Sequence, residues 1–189
     1  MLAGELYNCG DPELMKIWNS GKNLMRKYNM VDYSDRKEQM RILDELLGSR
    51  GENTQITAPF YIDYGKFVHL GNNCEINMNC VFLDCNKITI GDNTLIAPGV
   101  HIYTVFHPIR AEQRFNVSSA RNDGNFPFAV CQTAPVTIGK NVWVGGGSII
   151  MPGVAIGSNV TVGAGSVVTK SLPDNVLAYG NPCRVVREI

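Results

Sequence analysis

The sequence predicts a mainly β protein, a parallel β-helix built from six-residue repeats and preceded by an N-terminal helical segment. Apolar residues recur six positions apart in three runs: Leu70, Ile76 and Phe82; Ile90, Ile96 and Ile102; and Ile138, Val144, Ile150, Ile156, Val162 and Val168. A six-residue unit is too short for a helical repeat and suits a short strand followed by a tight turn. Three such units form one triangular coil, and stacked coils form a prism.

Recurring tetrads support this interpretation: LGNN (70–73), IGDN (90–93), IGKN (138–141) and IGSN (156–159). Their glycines and asparagines suit turns that require positive φ. The last two tetrads are 18 residues apart and the first two are 20 apart, which predicts a two-residue insertion near Lys87. The fifth position of most units is small and should face a narrow core, at Cys74, Cys80, Val100, Val142, Ser148, Val154, Val160 and Ser166.

Residues 1–52 predict two helices, and residues 53–189 predict the β-helix domain. The first helix has an apolar stripe with Gly21 as a weak point, and the second starts at a capping box formed by Asp35 and Glu38. We expect the stripe to serve packing. The repeat is interrupted by an excursion at 107–136, and a loop of this length is usually functional or disordered.

The overall composition excludes several classes of protein. The 17 basic and 17 acidic residues balance, so no net charge attracts nucleic acid or a membrane surface. No apolar run is long enough to span a bilayer, and the N-terminus does not resemble a signal peptide. Six cysteines without a CxxC pair indicate reduced thiols. We expect a soluble, cytoplasmic protein.

Longer motifs resemble a known family. AGELYN, DYGKFVHLGNN, NMNCVFLD, IGDNTLIAPGVHIYT-x-x-HP, IGKNVWVGGG, GAGSVVTK and GNPCRVVREI are similar to the maltose and galactoside O-acetyltransferases, which are hexapeptide-repeat acyltransferases. The resemblance covers nearly the whole chain. It implies a left-handed β-helix, a homotrimer and acetyl-CoA as the co-substrate.

The same resemblance identifies His107, where the repeat breaks, as the catalytic base, carried by the excursion toward a neighbouring subunit. A sugar hydroxyl is a poor nucleophile at neutral pH, and an imidazole can take its proton and return it to the leaving thiolate. Alternatively, His107 is an exposed loop residue without a role. A third possibility is a zinc site between subunits formed by His69, His101 and His107, but it would leave the acetyl-donor motifs unexplained. We therefore expect no metal.

For the acceptor, the resemblance implies contacts from Asp63, Asn77, Asp84 and Cys85. At Cys85 the chain departs from the galactoside branch, where this position is acidic. That departure argues against a strict galactoside enzyme, because a thiol cannot replace the two strong acceptors of a carboxylate. The excursion should border the acceptor pocket.

For the acetyl donor, the resemblance implies contacts from Trp143, Gly146, Ala164, Thr169, Lys170, Arg184 and Arg187. The three cations would bind the nucleotide phosphates. Repeats alone could also demand the glycines at 145–147, and a solvated tail could also contain arginines.

These observations predict an acetyl-CoA-dependent O-acetyltransferase that acts on a sugar such as maltose, glucose or a galactoside. Transfer would be direct, without an acyl-enzyme, because no serine or cysteine lies in a recognisable nucleophile elbow. Two alternatives stay open: acetylation of another small alcohol or amine, and a structural β-helix subunit without catalysis.

Overall fold

A computed structural model describes residues 1–115 and 129–189. Its helices are α1 (Pro12–Met30), α2 (Arg36–Leu46) and α3 (Ala111–Arg114). Its strands are β1 (Ser49–Arg50), β2 (Gln55–Ile56), β3 (Tyr61–Ile62), β4 (Val68–Leu70), β5 (Glu75–Ile76), β6 (Val81–Leu83), β7 (Ile88–Ile90), β8 (Leu95–Ile96), β9 (His101–Tyr103), β10 (Val105–Phe106), β11 (Gln132–Thr133), β12 (Val136–Ile138), β13 (Trp143–Val144), β14 (Ile149–Ile150), β15 (Ala155–Ile156), β16 (Thr161–Val162), β17 (Val167–Val168), β18 (Val176–Gly180) and β19 (Cys183–Glu188).

Short parallel strands stack into three faces of a prism, as predicted. Face I has the strand order β1-β4-β7-β12-β15, face II the order β2-β5-β8-β13-β16-β18, and face III the order β3-β6-β9-β14-β17. The chain visits the faces in the order I, II, III, so the prism has three edges, which we call I/II, II/III and III/I. Strand β19 closes face II by pairing antiparallel with β18.

The core of the prism contains the residues that the repeat predicts. Every first-position residue of the three runs is buried, and so is every small fifth-position residue from Cys74 to Ser166. Phe60 and Phe82 meet edge to face inside it, with ring centroids 5.1 Å apart. The interpretation of Cys74 and Cys80 as core residues agrees with this burial, since their thiols donate to backbone carbonyls, those of Asn72 and Gly91 for Cys74 and that of Ala97 for Cys80.

Asparagines line edge I/II in a continuous hydrogen-bonded ladder. Each of six stacked asparagines has a positive φ between 52° and 57°, and each side-chain amide of the first five donates to the side-chain oxygen of the next. The six are Asn53, Asn73, Asn93, Asn141, Asn159 and Asn175. Asparagine tolerates this left-handed conformation better than most residues, so the tetrads mark the corner where the backbone requires it.

Edge III/I is irregular at three consecutive corners. In a regular coil the inward residues on either side of this edge are six positions apart, as are Ile150 and Ile156. The separation is eight from Ile62 to Leu70 and eight from Phe82 to Ile90. The insertion predicted near Lys87 is therefore present, and a similar one precedes it. The third corner carries the excursion, of which residues 116–128 lie outside the described part.

The helices pack against the first coils. Asp11 caps α1 by accepting from the amides of Glu13 and Leu14, and Asp35 caps α2 by accepting from the amide of Glu38. This is half of the predicted capping box, because the Glu38 carboxylate accepts from Arg41 and the Asp35 amide donates to the Asp32 carbonyl. Buried residues of both helices belong to the same hydrophobic cluster as the prism core. Within the described residues, no helix has the length and apolar character needed to cross a membrane.

Candidate active site

The three irregular corners of edge III/I enclose a cavity of about 440 Å³ together with the N-terminal segment and α1. Three site residues predicted from the sequence, Asp63, Cys85 and His107, face this cavity. Its lining consists of Tyr7, Cys9, Met15, Trp18, Asp63, Tyr64, Cys85, Val105, His107, Arg114, Phe115, Ala129 and Cys131. The excursion borders the cavity through its described ends; that the acceptor binds there stays a prediction.

Asp63, at the first corner, is held by two residues of α1. Its Oδ1 accepts from Lys22 Nζ at 2.8 Å and from Trp18 Nε1 at 3.4 Å. Lys22 also donates to the carbonyl of Ile62 at 2.7 Å and lies 5.2 Å from the centre of the Trp18 ring. Charge-assisted bonds of this kind fix a carboxylate in one orientation. The other carboxylate oxygen, Oδ2, therefore faces the second corner.

Asp84, at the second corner, is fully buried and does not line the cavity. Its carboxylate accepts from the backbone amides of Asp63 (3.0 Å), Tyr64 (2.8 Å) and Phe67 (3.3 Å). Burial raises the pKa of Asp84 to about 7, while these amides oppose the shift. In this chain Asp84 therefore shapes the turn that presents Asp63; its predicted contact with the acceptor stays a prediction.

Cys85 follows on the same corner and does line the cavity. Its Sγ lies 3.6 Å from Asp63 Oδ2, and burial raises its thiol pKa well above the ordinary range. Because a neutral thiol donates weakly and accepts weakly, this wall of the cavity offers little to a polar ligand.

His107, at the third corner, directly follows β10, whose antiparallel pairing with β11 ties the two ends of the excursion together. Its Nδ1 lies 2.8 Å from the carbonyl oxygen of Val130. Since a carbonyl can only accept, Nδ1 carries the hydrogen in the neutral ring, and Nε2 keeps its lone pair. This tautomer is the one a general base requires if Nε2 faces the substrate.

The other two histidines occupy separate surroundings. His69 Nδ1 contacts the Ser49 hydroxyl at 3.0 Å, and His101 Nδ1 contacts the Tyr103 hydroxyl at 2.6 Å. Within residues 1–115 and 129–189, no three His, Cys, Asp or Glu side chains are grouped as ligands for a metal ion.

Sequence reasoning missed the contribution of the N-terminal segment to the cavity. Tyr7 and Cys131 form an antiparallel bridge, with backbone hydrogen bonds of 3.0 and 3.1 Å. The bridge places Cys9 against Cys131 and brings the Tyr7 side chain to the cavity wall. Only Tyr7 had a sequence signal, the AGELYN motif; nothing in the sequence links Cys9 to a residue 122 positions away.

Asn77 and part of the predicted donor set lie along a different edge, II/III. Asn77 follows β5, Gly146 follows β13, and Ala164 follows β16. The amide of Asn77 is engaged locally, since its Oδ1 accepts from the amide of Met78 at 2.8 Å. Trp143 lies on face II just before this edge and is 54% exposed. Within one chain, therefore, the structure does not bring Asn77 to the His107 cavity.

The glycines at 145–147 divide into two kinds. A Cβ on Gly145 would lie 2.5 Å from the amide nitrogen of Ala164, and Gly147 has a φ of +66°, so the stacked coils themselves require glycine at both positions. Gly146 has no positive φ, and a Cβ there would meet the Pro98 carbonyl at 3.1 Å. The alternative that repeats alone demand these glycines thus accounts for two of the three.

The remaining predicted donor residues are exposed at the C-terminal end of the prism. Thr169 and Lys170 follow β17, and Arg184 and Arg187 lie on β19. Each arginine donates to the backbone carbonyl of an adjacent residue, Arg184 to Cys183 at 2.8 Å and Arg187 to Glu188 at 3.3 Å. Their guanidinium groups have no carboxylate partner within the described residues, so they can pair with an anion.

Comparison with known proteins agrees with this architecture. The maltose acetyltransferase hexapeptide capping motif matches residues 1–51, and the bacterial transferase hexapeptide (six repeats) matches residues 135–170. Galactoside O-acetyltransferase from Escherichia coli strain K12 is 41% identical over 187 residues, which cover 99% of this chain and 86% of that protein.

Two solved structures extend the likeness to three dimensions. A galactoside acetyltransferase in complex with coenzyme A has a TM-score of 0.91 and 39% identity, over 99% of this chain and 88% of that one. A maltose O-acetyltransferase from Clostridium difficile 630 has a TM-score of 0.91 and 43% identity, over 100% and 94%. The chain therefore belongs to the hexapeptide-repeat acyltransferases of the galactoside and maltose O-acetyltransferase type.

Proposed function

We propose that this protein transfers the acetyl group of acetyl-CoA to a hydroxyl of a sugar, with His107 as the general base. The observation that carries the proposal is the bond from His107 Nδ1 to the Val130 carbonyl, beside a cavity large enough for a small acceptor. It fixes the ring and reserves Nε2 for proton transfer.

The reaction then needs no covalent enzyme intermediate. Nε2 takes the proton of the acceptor hydroxyl as its oxygen forms a bond to the thioester carbonyl carbon. The carbon–sulfur bond breaks, and the imidazolium returns the proton to the departing thiolate. Asp63, held by Lys22 and Trp18, is placed to orient the acceptor through Oδ2, whose only partner within the described residues is the weakly donating Cys85 thiol.

The donor is acetyl-CoA, and the surface of the prism has the properties that such a ligand requires. Trp143 offers an exposed ring, and Gly146 and Ala164 are small residues on edge II/III. Lys170, Arg184 and Arg187 are exposed cations toward one end, suited to charge-assisted bonds with phosphates. These contacts come from the resemblance and are part of the proposal.

The assembly we propose is a homotrimer. The acceptor cavity lies on edge III/I, whereas Asn77, Gly146 and Ala164 lie on edge II/III, and a rigid prism cannot bring two of its own edges together. The reacting groups must then come from two chains. Each chain gives edge III/I to one neighbour and edge II/III to the other, and such head-to-tail contacts close into a ring. Tyr61, Met78, Leu95 and Trp143 are exposed large apolar side chains on these surfaces.

His107→Ala tests the base. Turnover should fall by about 10²–10⁴-fold while the fold survives, measured as release of free thiol from acetyl-CoA with a panel of sugars and small alcohols. His69→Ala is the matched control, because His69 does not line the cavity and its Nδ1 bonds the Ser49 hydroxyl, so this variant should keep its turnover. Near-normal turnover of the His107 variant would defeat the assignment, and transfer only to non-sugar alcohols or amines would defeat the sugar acceptor.

Light scattering with activity measured on the same fractions tests the assembly. The expected particle has three times the 20.8 kDa mass of the chain. A fully active monomer at working dilution would contradict the shared site.

A further inference from the structure

Two cysteines of the cavity lie in contact with each other. Cys9 Sγ and Cys131 Sγ are 3.5 Å apart, although the residues are 122 positions apart in sequence. Cys131 is buried and Cys9 is half-buried, so an external reagent can reach Cys9 first. The backbone bridge between Tyr7 and Cys131 keeps the two segments together.

The pair also adjoins the proposed base. Cys131 Sγ is 3.7 Å from His107 Nδ1, and Val130, the residue before Cys131, supplies the carbonyl that holds this ring nitrogen. Any displacement of 130–131 is therefore transmitted to the imidazole.

We propose that Cys9 and Cys131 are a reversible oxidation site, at which a disulfide forms and lowers acetyl transfer. The oxidant is a small-molecule disulfide such as oxidised glutathione. The Cys9 thiolate attacks one sulfur of that disulfide, its S–S bond breaks, and the first reduced thiol leaves. The Cys131 thiolate then attacks Cys9 Sγ of the mixed disulfide and releases the second reduced thiol, so two cysteines are oxidised and one external disulfide is reduced.

The order of these steps follows from the surroundings of the two thiols. The Cys131 thiol donates its hydrogen bond to Cys9, which lowers the pKa of Cys9 and raises that of Cys131. Thiol–disulfide exchange begins with the thiolate, so the more exposed Cys9 attacks and Cys131 resolves.

The change in geometry predicts the loss of activity. A disulfide requires an S–S distance of about 2.05 Å, so the sulfurs must approach by roughly 1.5 Å. Cys9 lies in a turn in which Gly10 donates to Asn8 Oδ1 and Asp11 donates to the Asn8 carbonyl. Cys131 directly follows Val130, whose carbonyl holds His107 Nδ1. A shift of about 1 Å at a positioned catalytic group can cost up to about 10²-fold in rate.

The test treats the intact protein with oxidised glutathione and then with dithiothreitol. Peptide mapping should find a Cys9–Cys131 crosslink, and turnover should fall about tenfold or more and return on reduction. Cys9→Ser and Cys131→Ser should each abolish the crosslink. They should also abolish the oxidative loss of activity, which is measured as the ratio of turnover after oxidation to turnover after reduction of the same variant. Cys74→Ser, in the prism core, is the matched control and should keep the crosslink and the oxidative loss.

The crosslink is detected by mass spectrometry of peptides, so its presence can be established whether or not the proposed function is correct. Absence of the crosslink at full oxidation of exposed thiols overturns the proposal, and so does a complete crosslink that leaves turnover unchanged. If no acceptor is acetylated even by the reduced protein, the proposed function fails, while the crosslink alone still decides whether the thiols pair.

Discussion

Replacing Gly21 by alanine should destabilise the protein, although the same change in most helices is stabilising. Gly21 lies inside α1, where alanine has a helix propensity better by about 1 kcal/mol. Here, however, a Cβ would lie 2.4 Å from the Tyr64 carbonyl oxygen and 3.0 Å from that of Asp63. Carbon and oxygen normally approach to about 3.3 Å or more, so α1 must retreat from the corner by about 1 Å.

The cost of that retreat outweighs the gain in propensity. Overpacking of this kind costs about 1–3 kcal/mol. The retreat also strains the bonds from Lys22 to Asp63 and to the Ile62 carbonyl, and charge-assisted bonds contribute about 1.5–3 kcal/mol each. We therefore expect a net loss of about 1–3 kcal/mol, and a lower specificity constant for the acceptor because Asp63 moves.

Urea unfolding and acceptor kinetics measure the two effects. Ser20→Ala is the matched control, since Ser20 is an exposed neighbour on α1 and its replacement should change stability by only a few tenths of a kcal/mol. The reasoning fails if Gly21→Ala is as stable as the control and its acceptor kinetics are unchanged.

Two further changes test the edges of the prism. Asn141→Ala should lower the free energy of unfolding by about 1–3 kcal/mol, because it places alanine at φ 56° and removes two hydrogen bonds of the asparagine ladder. Asn141→Gly tolerates this φ and should lower it less in the same urea titration. Asp84 has a folded pKa of about 7 against 3.8 unfolded, so the native state holds a proton that the unfolded chain lacks between these values. Its contribution to the free energy of unfolding is present below about pH 4 and is lost as pH rises through 7, and Asp84→Asn should flatten that dependence; equal slopes for the two proteins would contradict the assignment.

The regular part of the fold was predictable because it depends on local order. A six-residue period places the same chemical types inward at each turn, and burial of Leu70 through Val168 confirms it. The tetrads likewise marked the corner where asparagine occupies positive φ. Even the insertion near Lys87 could be read, since it changes a spacing along the chain.

The cavity was only partly predictable, because it depends on contacts between distant segments. Asp63, Cys85 and His107 were identified by motif, and the structure places all three on one edge. The contact of Cys9 with Cys131 arises from a bridge between the N-terminus and the end of the excursion, which no periodicity encodes. In the sequence Asp84 has the side chain expected of an acceptor-binding residue, whereas in the folded protein its carboxylate accepts from three backbone amides.

Gly21 shows the division most clearly. By itself the sequence determined a helix with a residue of poor propensity at this position, because propensity is a property of the local chain. Only the tertiary structure decided why glycine is there: the helix axis approaches the corner at Tyr64 so closely that no side chain fits between them. Local chemistry set the repeat, the caps and the turns, while the packing of α1 and the N-terminal segment against edge III/I created the site, since its walls come from segments that meet only after folding.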